Sequence, residues 1–135
     1  MKRDMDLIRE LMLKLEDLPV GPGDNVHILP ANGGLLVEDC SVVPVGNYSD
    51  HEIEYHLSLI EKAAFIEPTR HGPAVGIMFR GLSWSGHDFL DSVRSPDVWD
   101  KTKQAVSTAG GFTVDLLVFA AKTYLEAKIK GLIGG

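Results

Sequence analysis

Glu52 and His56 stand four residues apart, the spacing that stacks a carboxylate and an imidazole on one helix face. Such a pair can hold a divalent metal, and His87, Asp88 and Asp91 form a second short group of the same residue types. Structural zinc sites, however, draw on four Cys or His ligands in tight pairs, and the chain has 1 cysteine. Neither spacing matches a ligand set, so no metal is expected. His56 falls on an apolar helix face and reads as a satisfied core histidine. His87 and Asp88 read as the first turn of a capped helix. Ser83, Ser85 and His87 are close enough in sequence to suggest a nucleophile and base. Yet Trp84-Ser85-Gly86 lacks the first glycine of a nucleophile elbow. Gly33-Gly34 and Gly110-Gly111 are isolated pairs that form neither a phosphate-binding loop nor a dinucleotide fingerprint. Cys40 has no cysteine partner, and the negative charge of Glu38 and Asp39 disfavours a thiolate there. No catalytic residue and no cofactor is therefore expected, and the chain does not read as an enzyme.

The elements that carry these residues are readable from their punctuation. A helix is predicted from about Asp4 to Glu16, with Met5, Ile8, Met12 and Leu15 as its buried stripe. Leu7, Leu11 and Leu18 widen that stripe. A stretch rich in Pro and Gly follows, with a turn at Gly21-Pro22-Gly23-Asp24-Asn25. Strands are predicted at Val26–Leu29 and Leu35–Val43, joined through Asn32-Gly33-Gly34 as a hairpin. Ser49-Asp50-His51-Glu52 is a capping box opening a second helix, whose buried face is Ile53, His56, Leu57, Ile60 and Ala64. Phe65–Glu67 should leave as a strand, turn at His71-Gly72-Pro73-Ala74, and return with Val75, Ile77 and Phe79 on one face. Ser85-Gly86-His87-Asp88 reads as a second capping box. Ser95-Pro96-Asp97 starts a further helix that Gly110-Gly111 ends, and a last helix runs from about Thr113 to Lys130.

Composition bounds the function. The 135 residues suit one domain, and 44% hydrophobic with 24% charged residues is ordinary for a globular chain. The net charge is -6, with residues 1–48 at -4, 49–94 at -3 and 95–135 at +1. Phosphate neutralisation needs clustered Lys and Arg, so the acidic balance disfavours nucleic acid as a partner. One cysteine suits a reducing compartment, and the charged N-terminus has no apolar signal core, so a cytoplasmic location is expected. No run is long enough for a membrane span.

The order of helix, strands, helix and Gly-Pro-tipped hairpin is similar to a winged-helix domain. Glu54 to Glu67 resembles the end of a recognition helix entering a wing. Bacterial winged-helix regulators carry a His-Leu-x-x-Leu-x-x-Ala-Gly-Leu-Ile run there, and Ala64 replaces the usual glycine. A closer resemblance spans nearly the whole chain. It covers Met1 to Arg9, Tyr48 to Leu57, Gly86 to Asp91, Val98 to Lys103, then Gly-Gly and a final helix. On these runs the chain resembles a bacterial and phage family, the domain of unknown function 2513. The resemblance implies an α+β, winged-helix-like fold and a bacterial, phage- or prophage-associated protein, with no activity attached. Residues 1–94 would form the winged-helix-like core, and 95–135 a helical extension packed on it. The usual first half of a helix-turn-helix is replaced by the Pro/Gly-rich loop and the strands between Val26 and Val43.

Two interaction surfaces follow. The outward face of the helix after Ser49 would carry His51, Glu54, Tyr55, Ser58, Glu61 and Lys62, with Arg70 and Arg80 on the wing. Carboxylates outnumber firm cations on that helix face, which makes it a poor surface for phosphates. On the last helix, apolar residues including Leu116, Ala120 and Tyr124 sweep an arc of roughly 220°, wider than one core contact covers. Phe112 and Phe119 lie off that arc. A homodimer built on Phe112, Leu116, Phe119, Ala120 and Tyr124 is the preferred expectation, and a central core helix is its alternative. The expected function is a non-enzymatic regulatory or adaptor protein acting through protein contacts. The alternative is a DNA-binding transcriptional regulator using the Ser49 helix and the wing.

Overall fold

The computed structural model describes residues 1–38, 41–70, 72–110 and 113–133. Among them it is a mixed α+β chain with five helices and a four-stranded antiparallel sheet. The chain forms two compact units, Met1–His87 and Asp88–Gly135.

The first unit opens with α1 (Met5–Glu16). Asp4 caps it, its side chain accepting the amides of Asp6 and Leu7, so an anionic oxygen meets the positive end of the helix. Met5, Leu7, Ile8, Leu11, Met12 and Leu15 are buried, the stripe expected from their spacing, while Leu18 is half-buried in the following loop. Strand β1 (Val26–Ala31) turns through Asn32-Gly33 into β2 (Gly34–Val37), with Ala31 opposite Gly34. Both turn residues have positive φ, 53° and 74°, the geometry of a two-residue hairpin that Asn-Gly supplies at least cost.

The single strand expected over Leu35–Val43 does not form. The chain folds back after Val37, whose amide bonds the Ser41 carbonyl, and β3 (Val42–Pro44) returns antiparallel to β2. Glu38 and Ser41 are exposed on either side of this reversal. Its tip, Asp39 and Cys40, lies outside the described residues, and so does the expected handling of the Cys40 thiol.

Helix α2 (Asp50–Lys62) starts on the expected capping box. The Ser49 hydroxyl accepts the Glu52 amide at 3.1 Å, and the Glu52 carboxylate accepts the Ser49 amide at 3.1 Å. Ile53, His56, Leu57 and Ile60 are buried, and α2 packs against α1 and against β1 and β4 (Ile77–Phe79). Ala64 does not continue that face. It is exposed beyond the helix end with φ at 60°, the left-handed position that glycine favours.

The expected return hairpin is also rearranged. Phe65–Glu67 makes only an isolated bridge, Ile66 with Leu82, flanked by Glu67 amide to Gly81 carbonyl and Ser83 amide to Phe65 carbonyl bonds. Strand β4 pairs instead with β1, Ile28 opposite Ile77 and Val26 opposite Phe79, giving the order β3-β2-β1-β4. Ile77 and Phe79 are buried, whereas Val75 is exposed ahead of the strand. His71 of the expected turn lies outside the described residues.

Helix α3 (Trp84–Val93) begins one residue earlier than its expected cap. The capping oxygen is that of Ser83, which accepts the Gly86 amide at 3.1 Å, so Ser85 is a first-turn residue instead. In the second unit, α4 (Pro96–Ala109) is capped by Ser95, whose side chain accepts the Val98 amide, with Pro96 in the first turn and Gly110 at φ 91° closing it. Gly111 lies outside the described residues. Helix α5 (Val114–Leu132) is capped by Thr113 and packs along α4. Val98, Trp99, Thr102 and Val106 are buried on α4, and Leu117, Ala120 and Ala121 on α5. No helix among the described residues is long and apolar enough to cross a membrane.

Candidate interaction site

On α2, Glu54 is half-buried and bonded within the fold. Both oxygens of its carboxylate accept the Gly76 amide, at 3.0 and 2.9 Å. Gly76 has φ 76°, and a Cβ there would run into the Ile28 carbonyl and to within 2.9 Å of Leu29, so only glycine passes this close to β1. His27 holds the preceding residue from the other side, its Nε2 bonding the Val75 carbonyl at 2.9 Å. The segment that leads into β4 is thereby tied to α2 and β1 together.

The remaining outward residues of α2 are His51, Tyr55, Ser58 and Lys62, which recur at four- and three-residue steps as one stripe. His51 and Lys62 are exposed, as is the neighbouring Glu61. Tyr55 is half-buried with its ring edge-on to His56 at 5.3 Å between centroids, and the Ser58 hydroxyl donates to the Tyr55 carbonyl at 2.6 Å. The stripe thus carries one firm cation beside one carboxylate. Arg70 and Arg80 are exposed, and Nη1 of Arg80 donates to the Pro68 carbonyl at 3.2 Å, bracing its own loop.

Arg80 also lines a cleft of about 450 Å³ in the first unit. Leu15, Phe79 and Leu82 form its apolar wall, and Glu67, Arg80 and His87 its exposed polar rim. The charges there are mixed, and no group of three or more His, Cys, Asp or Glu that could hold a metal ion occurs among the described residues.

His56 is buried and its ring nitrogens are both engaged. Nε2 accepts the Asp4 amide at 2.8 Å, and Nδ1 lies 2.7 Å from the Glu52 carbonyl. Because a backbone N–H can only donate, the Nδ1–H tautomer is the one that satisfies both bonds. This is the core histidine expected from its place on the apolar face. Ser83 and Ser85 spend their hydroxyls on the backbone: both donate to the Ala64 carbonyl, at 2.5 and 3.1 Å, and stand 3.1 Å from one another. Burial pushes the Tyr48 hydroxyl above its ordinary pKa, and the carboxylates of Asp4, Asp6, Glu10 and Glu52 push it the same way.

On α5, Ala120 is buried, while Leu116 and Tyr124 are half-buried. Tyr124, Ala127 and Lys128 border a groove against Asp97, Val98 and Lys101 of α4, so this side of the apolar arc faces α4. Phe119 is 70% exposed and projects the opposite way. Ile129, Leu132 and Ile133 are exposed as well. Phe112 lies outside the described residues. Asp115, Phe119, Lys122, Glu126, Ile129 and Ile133 form a further stripe that the 4-3-4-3-4 spacing carries in the sequence. It is easily overlooked, because two charged residues interrupt its apolar members.

No solved structure matches the chain. An uncharacterized protein from Haemophilus influenzae is 27% identical over 135 residues, covering 98% of this chain and 99% of the relative. The family model described as "Hypothetical protein (DUF2513)" matches residues 2–112, a span that takes in the α2 capping box, the Glu54–Gly76 tie and all of α3 and α4. The chain belongs to the DUF2513 family.

Proposed function

We propose that this chain is a non-enzymatic regulatory or adaptor module, built on a winged-helix-like plan, that works through protein contacts. The plan is supported by the succession of α1, the β1–β2 hairpin, α2 and a returning segment bridged at Ile66 and Leu82. The observation that carries the reading is the inward commitment of Glu54. A helix that reads a DNA groove keeps its outward side chains for base edges and phosphates. Here the Glu54 carboxylate is spent on the Gly76 amide, and the exposed part of the face offers Lys62 beside Glu61. The wing arginines add two cations, one of them bonded to its own loop. That is too little positive charge to hold a polyanion against a chain of net charge -6.

The test is an electrophoretic titration of the full chain with mixed-sequence duplex at low and then moderate salt. The expected result is no retarded complex at either. A complex whose affinity falls steeply with salt and disappears in the Arg70→Ala/Arg80→Ala variant would overturn the reading in favour of a DNA-binding regulator.

A further inference from the structure

The outer face of α5 carries a pattern that is complementary to itself. Asp115, Phe119, Lys122, Glu126, Ile129 and Ile133 recur at alternating four- and three-residue steps, the period of a helix–helix seam. All six are exposed, Phe119 by 70% and Ile129 by 55%. They lie opposite Leu117, Ala120 and Ala121, the buried residues of the same helix. No ion pair or hydrogen bond engages the Lys122 or Glu126 side chain among the described residues.

We propose that this face binds the same face of a second copy of the chain, with the two α5 helices antiparallel about a two-fold axis level with Tyr124. The inference rests on the protein-contact reading above and names the partner. In that register Phe119 of each copy meets Ile129 of the other, and Lys122 of each meets Glu126 of the other. A two-fold axis makes every contact occur twice, so the pairing yields two apolar contacts and two opposite-charge contacts from one stripe. Asp115 and Ile133 fall at the open ends, where solvent reaches both. A parallel arrangement would set Lys122 against Lys122 and Glu126 against Glu126. The charge order therefore selects the antiparallel pairing and a second copy of this chain as its occupant. With 19 residues, α5 is about 28 Å long and carries the stripe from Asp115 to Ile129, with Ile133 following as its C-cap.

Charge reversal tests the register directly, using full chains in sedimentation equilibrium over a concentration series. Wild-type protein should reach twice the 14.7 kDa chain mass. Lys122→Glu and Glu126→Lys each create two like-charge contacts and should weaken self-association about tenfold or more. An equimolar mixture of the two variants restores both opposite-charge contacts and should recover the dimer, as should the double variant Lys122→Glu/Glu126→Lys. Far-ultraviolet circular dichroism identifies any variant that fails to fold, and these exposed substitutions should leave it unchanged. A wild-type chain that stays at single-chain mass, or single reversals that dimerise as well as wild type, would overturn the proposal. Neither result touches the duplex titration, so the two readings fail independently.

Discussion

The backbone amide of Asp4 donates to Nε2 of His56 at 2.8 Å, joining the cap of α1 to the middle of α2 across 52 residues of sequence. The same ring reaches the Glu52 carbonyl through Nδ1, so one buried imidazole serves two backbone groups. Asp4 in turn caps α1 with its side chain. Entry into the first helix and the packing of α1 on α2 are therefore coupled through His56. His56→Leu keeps the apolar volume but leaves the Asp4 amide without its acceptor. It should destabilise the fold by about 1–3 kcal/mol, the cost of an unsatisfied buried group. Denaturant unfolding measures the loss, and hydrogen exchange at the first turn of α1 should quicken with it.

Glu54 makes a different structural prediction from a DNA-facing glutamate. Glu54→Ala removes a charged acceptor from the Gly76 amide and should cost about 1.5–3 kcal/mol in denaturant unfolding. A solvent-facing carboxylate would cost almost nothing. The same variant should show no gain in duplex binding, because the tie it breaks lies within the fold.

In the second unit, the Thr102 hydroxyl is buried and has no hydrogen-bond partner among the described residues. Thr102→Val replaces that hydroxyl with a methyl of similar shape and removes the desolvation penalty. It should stabilise the chain by about 1 kcal/mol, visible as a higher unfolding midpoint.

Tyr48 supplies the pH dependence. Its folded-state pKa is raised, by burial first and by the carboxylates of Asp4, Asp6, Glu10 and Glu52 after that. A raised pKa means that the folded state favours the neutral phenol. The associated stability is fully present below the unfolded phenol value of about 10 and is lost as pH rises through the folded value. Tyr48→Phe should remove that part of the alkaline loss. The difference in tyrosinate absorbance between wild type and variant should titrate above the ordinary phenol range.

Much of this architecture is legible in the residues themselves. The caps at Ser49 and Ser95 are readable because an N-terminal cap needs a particular side chain at a particular offset. His56 is readable as core from its helical phase. The split of Leu35–Val43 has a signal in the polar residues between Val37 and Val42, but the reversal itself is decided by the Val37–Ser41 bond. The pairing of β4 with β1 is hidden: partners some 50 residues apart leave no local spacing to read. Ser85 reads as the cap of α3 because Ser85-Gly86-His87-Asp88 has the spacing of a capping box, yet the Gly86 amide bonds Ser83 instead. For α5, the broad apolar arc is legible, but which side of it is free depends on where α4 lies. Phe119 sits off that arc and belongs to the opposite stripe.

If the outer face of α5 makes the contacts of this protein and α2 belongs to the fold, the two helices must respond differently to self-association. Amide correlation spectra of the isotopically labelled full chain, recorded over a dilution series, test that division most directly. The predicted result is concentration-dependent movement of the amides around Phe119, Lys122, Glu126 and Ile129, with those of His51, Tyr55, Ser58 and Lys62 unmoved. Movement confined to the α2 amides, or a spectrum independent of concentration, would contradict it.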